Sequence, residues 1–265
     1  LKPDIKFIAT DMDGSLLDDN KQLPDDFFDV FAALKRQNIL FAAASGRQYE
    51  SLLDTFIDIK DEMLFIADNG TLVMHQGKEL YSSTIEPSDV TAIIQSLKNI
   101  PDCHVVFCGK GIAYIETCDA ATLSEVKKYY AALKQVDNLL QIKEDCIKIA
   151  VLNFNGTEEH IYPSVAPLFS ESHQVVVSSF IWLDFMAKDA SKGSAIKYLQ
   201  QKFNFTAEQS LSFGDYFNDV EMLQQTYYSY AMENAHPDIK QTARFSAPTN
   251  NQAGVTQVIR QLLLD

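Results

Sequence analysis

Short apolar runs alternate with stretches of helical period at both ends of the chain. Ile5-Lys6-Phe7-Ile8-Ala9-Thr10 reads as a buried strand. Pro24-Asp25-Asp26 then opens a helix with a proline and acids in its first turn, and Phe27, Phe31 and Leu34 follow at helical spacing. A second apolar run over 39–44 predicts another buried strand, and 49–57 a helix with Leu52, Leu53 and Phe56 on one face. A third strand over 64–67 ends at Asp68-Asn69-Gly70, and His75-Gln76-Gly77-Lys78 reads as a hairpin turn. Strand–helix–strand at this pace implies parallel pairing and a covered sheet.

The middle reads differently. Strands over 103–108 and 112–116 flank Gly109-Lys110-Gly111, a helix is expected over 120–133, and strands return over 147–154, 174–178 and 180–185 around a helix over 158–169. Short strands and hairpin turns predict an α+β module with a largely antiparallel sheet. The glycines of Gly109-Lys110-Gly111 lack the frame of a phosphate loop, so a hairpin turn is expected there. The last third alternates again: a helix from Ser191 over 191–203, a capping box at Thr206 and Gln209, a strand over 211–213, a helix over 218–225, a strand over 227–231 and a terminal helix over 252–264. The expected fold class is α/β. A Rossmann-like, doubly wound parallel sheet is built from 1–83 and 188–265, with an α+β domain over 84–187 inserted into it.

Composition narrows the function. With 22 basic and 36 acidic residues the formal charge is −14, which argues against nucleic acid or an anionic membrane as partner. A small phosphorylated molecule stays compatible, because a metal and a few cations can reverse the sign inside one pocket. No apolar run is long enough to span a bilayer, and no signal-peptide pattern opens the chain, so a cytoplasmic protein is expected; the start at Leu1 suggests a trimmed N-terminus. Cys103, Cys108, Cys118 and Cys146 form no C-x-x-C, and buried free thiols are expected. The five histidines are scattered and read as surface or core residues. Oligomeric state is not legible.

Four segments carry chemistry, each just past a strand or at a helix start, where open α/β sheets gather ligands. Asp11-Met12-Asp13-Gly14-Ser15 puts two carboxylates two residues apart after the first strand. They suit holding a metal and attacking phosphorus, and one can move a proton while the other attacks; a solvated acidic turn is the bland alternative. Ser45-Gly46-Arg47 offers a hydroxyl and a bare amide to phosphate oxygens, or simply caps a helix. Lys192, in Ser191-Lys192-Gly193-Ser194, opposes the dipole of the helix it opens, which an anion held nearby would explain; a lysine reaching water would not need one. Gly214-Asp215-Tyr216-Phe217-Asn218-Asp219 supplies hard oxygen ligands without Cys or His, which selects magnesium over zinc, or else forms an ordinary acidic helix start.

Taken together the four segments resemble the haloacid dehalogenase superfamily, and in detail its Cof-type phosphatases. That family's pattern is D-x-D-G-T/S, S-G-R, S-K-G and G-D-x-x-N-D. Asp68-Asn69-Gly70 resembles its E-N-G, Ala231-Met232-Glu233-Asn234-Ala235 its A-M-x-N-A, and Asn250 to Gly254 its closing N-x-x-x-G. Ser15 stands for the commoner Thr, and Asp68 for Glu, a change not expected to touch the chemistry. The resemblance implies a magnesium-dependent phosphatase. Asp11 would be nucleophile and metal ligand, and Asp13 the general acid/base with its backbone carbonyl also on the metal. Ser45 and Lys192 would bind the phosphoryl group, Asp215 would bind the metal, Asp219 would bind it directly or through water, and Asn218 would position phosphate and Lys192. Gly46 and Asn69 would line the pocket, and Arg47 would face the cleft.

The inserted module would be a cap of the C2B kind, closing over the site and contacting substrate. The single tryptophan, Trp182, is expected to pack near the hinge. The implied partner is a small phosphorylated metabolite, a sugar phosphate or similar. A phosphomutase using the same aspartyl-phosphate, and a regulatory protein that binds phosphate or metal without turnover, are the competing readings.

Overall fold

The computed structural model describes residues 2–265. The chain opens with strands β1 (Phe7–Asp11), β2 (Leu40–Ala44), β3 (Leu64–Ala67), β4 (Leu72–His75) and β5 (Lys78–Ser82). A second set follows: β6 (His104–Cys108), β7 (Ala113–Glu116), β8 (Leu133–Val136), β9 (Lys148–Leu152), β10 (His173–Val177) and β11 (Trp182–Ala187). The chain then returns with β12 (Ser210–Gly214), β13 (Tyr228–Met232) and β14 (Phe245–Ala247).

Eight strands form the core sheet in the order β14-β13-β12-β1-β2-β3-β4-β5. From β14 through β3 every pairing is parallel, and the β4–β5 hairpin closes one edge antiparallel. The order reverses at β1, so the ends of β1, β2 and β12 open onto a topological switch point, where such sheets bind ligands. The flanking helices bury the faces that the sequence pattern marks. Phe27–Arg36 buries Phe27, Val30, Phe31 and Leu34, and Lys192–Phe203 buries Ala195, Ile196 and Leu199.

The second sheet runs β10-β11-β9-β6-β7-β8 and forms the inserted cap. It is antiparallel except for the parallel pair β7–β8. One face, with Phe107, Ile149, Val151 and Phe185, packs under the helices Pro87–Leu97 and Tyr162–Phe169. The other, with Val106, Ala150, Leu152 and Trp182, belongs to the same apolar cluster as the core's Tyr49 and Phe65, so cap and core share buried surface. Among the described residues, no helix is long and apolar enough to cross a membrane.

Both expected hairpin turns are present, at Gln76-Gly77 with positive φ and at Gly109–Gly111. Several elements depart from the hydrophobic pattern. The helix expected over 120–133 stops at Val126. Beyond it Gln48 of the core pairs with both backbone groups of Ala132, and Ser51 accepts from Ala131 and donates to the Tyr129 carbonyl. The peeled segment then feeds β8, a tertiary demand that overrides helical propensity. The terminal helix expected over 252–264 runs from Gly254 to Leu264, its last turn a π turn, and starts two residues late because Ala253, at φ 56°, separates it from a 3-10 turn at Asn250–Gln252. The helices Pro87–Leu97 and Pro237–Thr242 and the strand β14 lie where the pattern marks no element. All four cysteines are free, but only Cys108 and Cys146 are buried.

Candidate active site

Asp11 ends β1, opposite Ala44 of β2, and Ser45 follows directly; Gly214 ends β12 and Asp215 follows. Parallel register thus brings three distant segments to one level. The fourth arrives with the helix that Ser191 caps through Ser194 N–H, whose first residue is Lys192.

The Lys192 ammonium is fully buried between two carboxylates, 2.6 Å from Asp11 Oδ1 and 2.7 Å from Asp219 Oδ1. This resolves why a cation opens a helix against its dipole: it serves the carboxylates rather than water. The other Asp219 oxygen accepts from the backbone N–H groups of Asp215 (2.9 Å) and Tyr216 (3.3 Å). Burial works against the charge on Lys192, but Asp11 and Asp219 more than offset it and hold the ammonium above the ordinary lysine range.

Carboxylate oxygens of Asp11, Asp215 and Asp219 all lie within 4.8 Å of one another. Burial pushes the Asp11 carboxyl well above the usual carboxylate range; Lys192 opposes this, and Asp219 and Asp215 add to it. Burial and Asp219 raise Asp215 to about 7 against the pull of Lys192. Three carboxylates thus face one ammonium, and the cluster is short of positive charge. An all-oxygen set with that deficit fits a hard divalent cation.

Asp13 points elsewhere. Its carboxylate accepts a bidentate pair from Arg47, Nε to Oδ2 at 2.7 Å and Nη2 to Oδ1 at 2.6 Å, and a third bond from Lys21 at 2.8 Å. Burial alone would raise this carboxyl, but Arg47, seconded by Lys21, holds it below the ordinary range. Ser45 is buried and its Oγ accepts from the Arg47 N–H at 3.1 Å. Asn218 donates to Asn69 Oδ1 at 3.1 Å, and a Cβ on Gly46 would meet the same oxygen at 3.0 Å.

These residues surround one cavity of about 570 Å³, lined by Asp11, Asp13, Ser45, Gly46, Arg47, Asn69, Asp215 and Asn218, with Lys192 and Asp219 buried beside its floor. All nine residues marked from the sequence therefore converge, as does Asn69. The cap wall adds residues that the sequence reading passed over: Tyr129, Tyr130, Lys148, Phe180 and Asp184. For two of them a signal existed, since Lys148 and Asp184 are charges inside apolar strand runs, the wrong residues for a plain core strand. Trp182 also lines the cavity, packed edge-to-face on Tyr129 at 5.4 Å and tilted against Tyr130 at 6.1 Å, so it belongs to the cleft wall.

Comparison with known proteins places the whole chain in one family. The family model described as haloacid dehalogenase-like hydrolase matches residues 8–259. The 5-amino-6-(5-phospho-D-ribitylamino)uracil phosphatase YbjI of Escherichia coli (strain K12) is 31% identical over 265 residues, 98% of this chain and 96% of the relative. A protein of the same description, YcsE of Bacillus subtilis (strain 168), is 22% identical over 98% of this chain and 97% of its own length. Among solved structures, SMU.1108c from Streptococcus mutans UA159 superposes with a TM-score of 0.91 at 26% identity, over 98% of this chain and 100% of that one.

Proposed function

The chain belongs to the haloacid dehalogenase-like hydrolases and is a Cof-type phosphatase acting on phosphorylated metabolites, and from that premise we propose that it cleaves a small phosphomonoester through an aspartyl-phosphate on Asp11. The observation that carries this reading is the Lys192 ammonium held between Asp11 and Asp219 beside the cavity. The cation opposes the burial that drives Asp11 toward its neutral form, and a metal at the same cluster would supply the rest of the charge that a carboxylate nucleophile needs.

In the first step Asp13, ionised at rest on Arg47 and Lys21, would have to leave them and take a proton from solvent; an Asp11 oxygen then attacks phosphorus while Asp13 gives that proton to the departing oxygen. In the second, Asp13 takes a proton from water, which attacks the acyl-phosphate and frees phosphate and Asp11. Ser45, the amides around Gly46, and Lys192 bind phosphoryl oxygens; Asn218, fixed by Asn69, borders them. Arg47 holds Asp13 in place before substrate enters. Asp11, Asp215, Asp219 and the backbone carbonyl of Asp13 would hold Mg²⁺, which supplies charge neutralisation at the transferring phosphoryl group. Asp219 would bind that ion directly or through water.

The catalytic unit is read as 1–83 with 188–265, and the cap as 84–187. For the leaving group, the aromatic cap wall at Tyr129, Tyr130 and Trp182 and the description of the E. coli relative favour a sugar or polyol phosphate, ribitylamino-pyrimidine phosphates among them. The test is turnover by wild type and Asp11→Asn across a panel of phosphomonoesters, reading both free phosphate and isomerised sugar phosphate. Phosphate release that EDTA stops, Mg²⁺ restores and Asp11→Asn abolishes is the expected result. A variant retaining most activity sinks the mechanism, and isomerised product without phosphate would make it a mutase.

A further inference from the structure

A second buried charge cluster lies at the seam between cap and core. Lys148, the first residue of β9, is about 1% exposed and extends its ammonium across the seam. There it donates to the Gly46 carbonyl at 3.0 Å and stands 2.8 Å from Asp68 Oδ1. Asp68 Oδ1 has no hydrogen-bond partner of its own among the described residues, so this off-axis ion pair is its compensation. Tyr130 of the cap lies under the same ammonium, 5.5 Å from ring centroid to Nζ.

Asp184 sits on β11 opposite Ala150, two residues along from Lys148, on the same face of the cap sheet. Its Oδ2 accepts from Asn69 Nδ2 at 2.9 Å, and Asn69 Oδ1 in turn accepts from Asn218. Asn69 sits at φ 58°, in the left-handed region that asparagine enters more readily than most residues. The segments gripped by these two cap residues are tied to each other. Asp68 N–H donates to the Arg47 carbonyl at 3.0 Å and Asn69 N–H to the Ser45 carbonyl at 2.9 Å.

A merely stabilising seam would bury apolar surface, as the Trp182 side of this one does. Buried charges are costly, and these reach past the seam to the backbone and side chains that border the phosphoryl site. Resting on the phosphatase reading above, we propose that Lys148 and Asp184 are positioning residues. With cap and core together, they fix Ser45–Arg47 and the Asn69–Asn218 pair in working geometry; with the cap away, that support is gone. The cap would then act on the chemistry as well as on access to it.

The experiment compares wild type, Lys148→Met and the double variant Lys148→Met/Asp68→Asn. Each is read by melting temperature, by kcat and KM for a phosphomonoester the wild type turns over, and by hydrogen exchange at the Asp68 and Asn69 amides. Lys148→Met strands a buried carboxylate and should melt lower; the double variant removes it and should regain most of the loss. In the double variant kcat should stay on the order of 10- to 100-fold down with KM changed less, and the two amides should exchange faster, because the Gly46 carbonyl still lacks its donor. Recovery of kcat together with stability, at wild-type exchange rates, would overturn the proposal and leave the pair a structural one. Should the single variant fold poorly, the double variant alone carries the comparison. Should the wild type turn over no phosphomonoester, the phosphatase reading fails, and the exchange rates still decide whether Lys148 orders the loop.

Discussion

Gly14 lies against Asp215 so closely that a Cβ built on it would stand 2.2 Å from Asp215 Oδ2, and its backbone sits at φ +86°. Both facts exclude a side chain at the position that follows the two aspartates. Gly14→Ala therefore has to move Asp215 off the carboxylate cluster and also take on left-handed strain of about 1–2 kcal/mol. The expected outcome is a lower melting temperature and an apparent Mg²⁺ affinity weakened about 10-fold or more, since a ligand is displaced. Thermal melts and activity against Mg²⁺ concentration check it; unchanged Mg²⁺ dependence would mean that Asp215 is not a ligand.

Removing Lys192 tests the charge balance directly. Lys192→Met leaves Asp11 and Asp219 facing each other, buried, with no cation between them. Breaking such a pair costs about 3–5 kcal/mol. Melting without metal should show that loss, and saturating Mg²⁺ should recover part of it by supplying positive charge at the same cluster. Turnover should fall by about 10²- to 10³-fold whether or not stability is recovered, because the phosphoryl group has lost a preorganised donor.

Protons would compete with a metal for the oxygens of the carboxylate cluster. The Asp215 carboxyl is raised from an ordinary 3.8 to about 7, and Asp11 is raised as well. The folded chain therefore binds these protons more tightly than the unfolded one. The Asp215 contribution to stability is full below 3.8 and is lost as pH climbs through about 7, and that of Asp11 changes in the same direction. Metal-free protein should lose stability across that window. Apparent Mg²⁺ affinity should rise across it and level off above, as the ligands arrive deprotonated. Calorimetric melts with and without Mg²⁺ at several pH values read both effects; an affinity flat with pH would contradict the carboxylate assignment.

Trp182 is the single tryptophan and sits in the cleft wall on Tyr129 and Tyr130. Its emission should change when phosphate or a phosphate mimic binds with Mg²⁺, because closing the cleft alters the water and the rings around the indole. Titration of fluorescence against orthophosphate should saturate at the concentration that inhibits turnover. A constant spectrum at saturation would mean that the cleft wall does not respond to the site.

How much of this was legible beforehand follows from where the information is stored. The strands at the switch point, the helix after Ser191 and the capping box at Thr206 and Gln209 are local patterns of apolar period and terminal residues, and they stand as read. The helix over 120–133 fails because its end is decided by Gln48 and Ser51, dozens of residues away. The terminal helix stands with its start moved to Gly254, and that shift has a comparable reason: nothing in alanine itself asks for a left-handed backbone at 253, whereas the capping box from Thr249 to Gln252 and the close packing of Gly254 against Pro248 do.

The site divides the same way. Which side chains gather at the cavity was legible in the sequence, because Asp11, Asp13, Ser45, Lys192 and Asp215–Asp219 each end or follow a strand or open a helix, and parallel register, with the helix that Lys192 opens, carries them to one end of the central strands. Their pairings were decided only in three dimensions. Lys192 chose Asp11 and Asp219, Arg47 chose Asp13, and Lys148 crossed from the cap to Asp68 and the Gly46 carbonyl. Short-range pattern fixes backbone state and burial; the partner of a buried charge depends on which other charge the fold brings within about 3 Å of it.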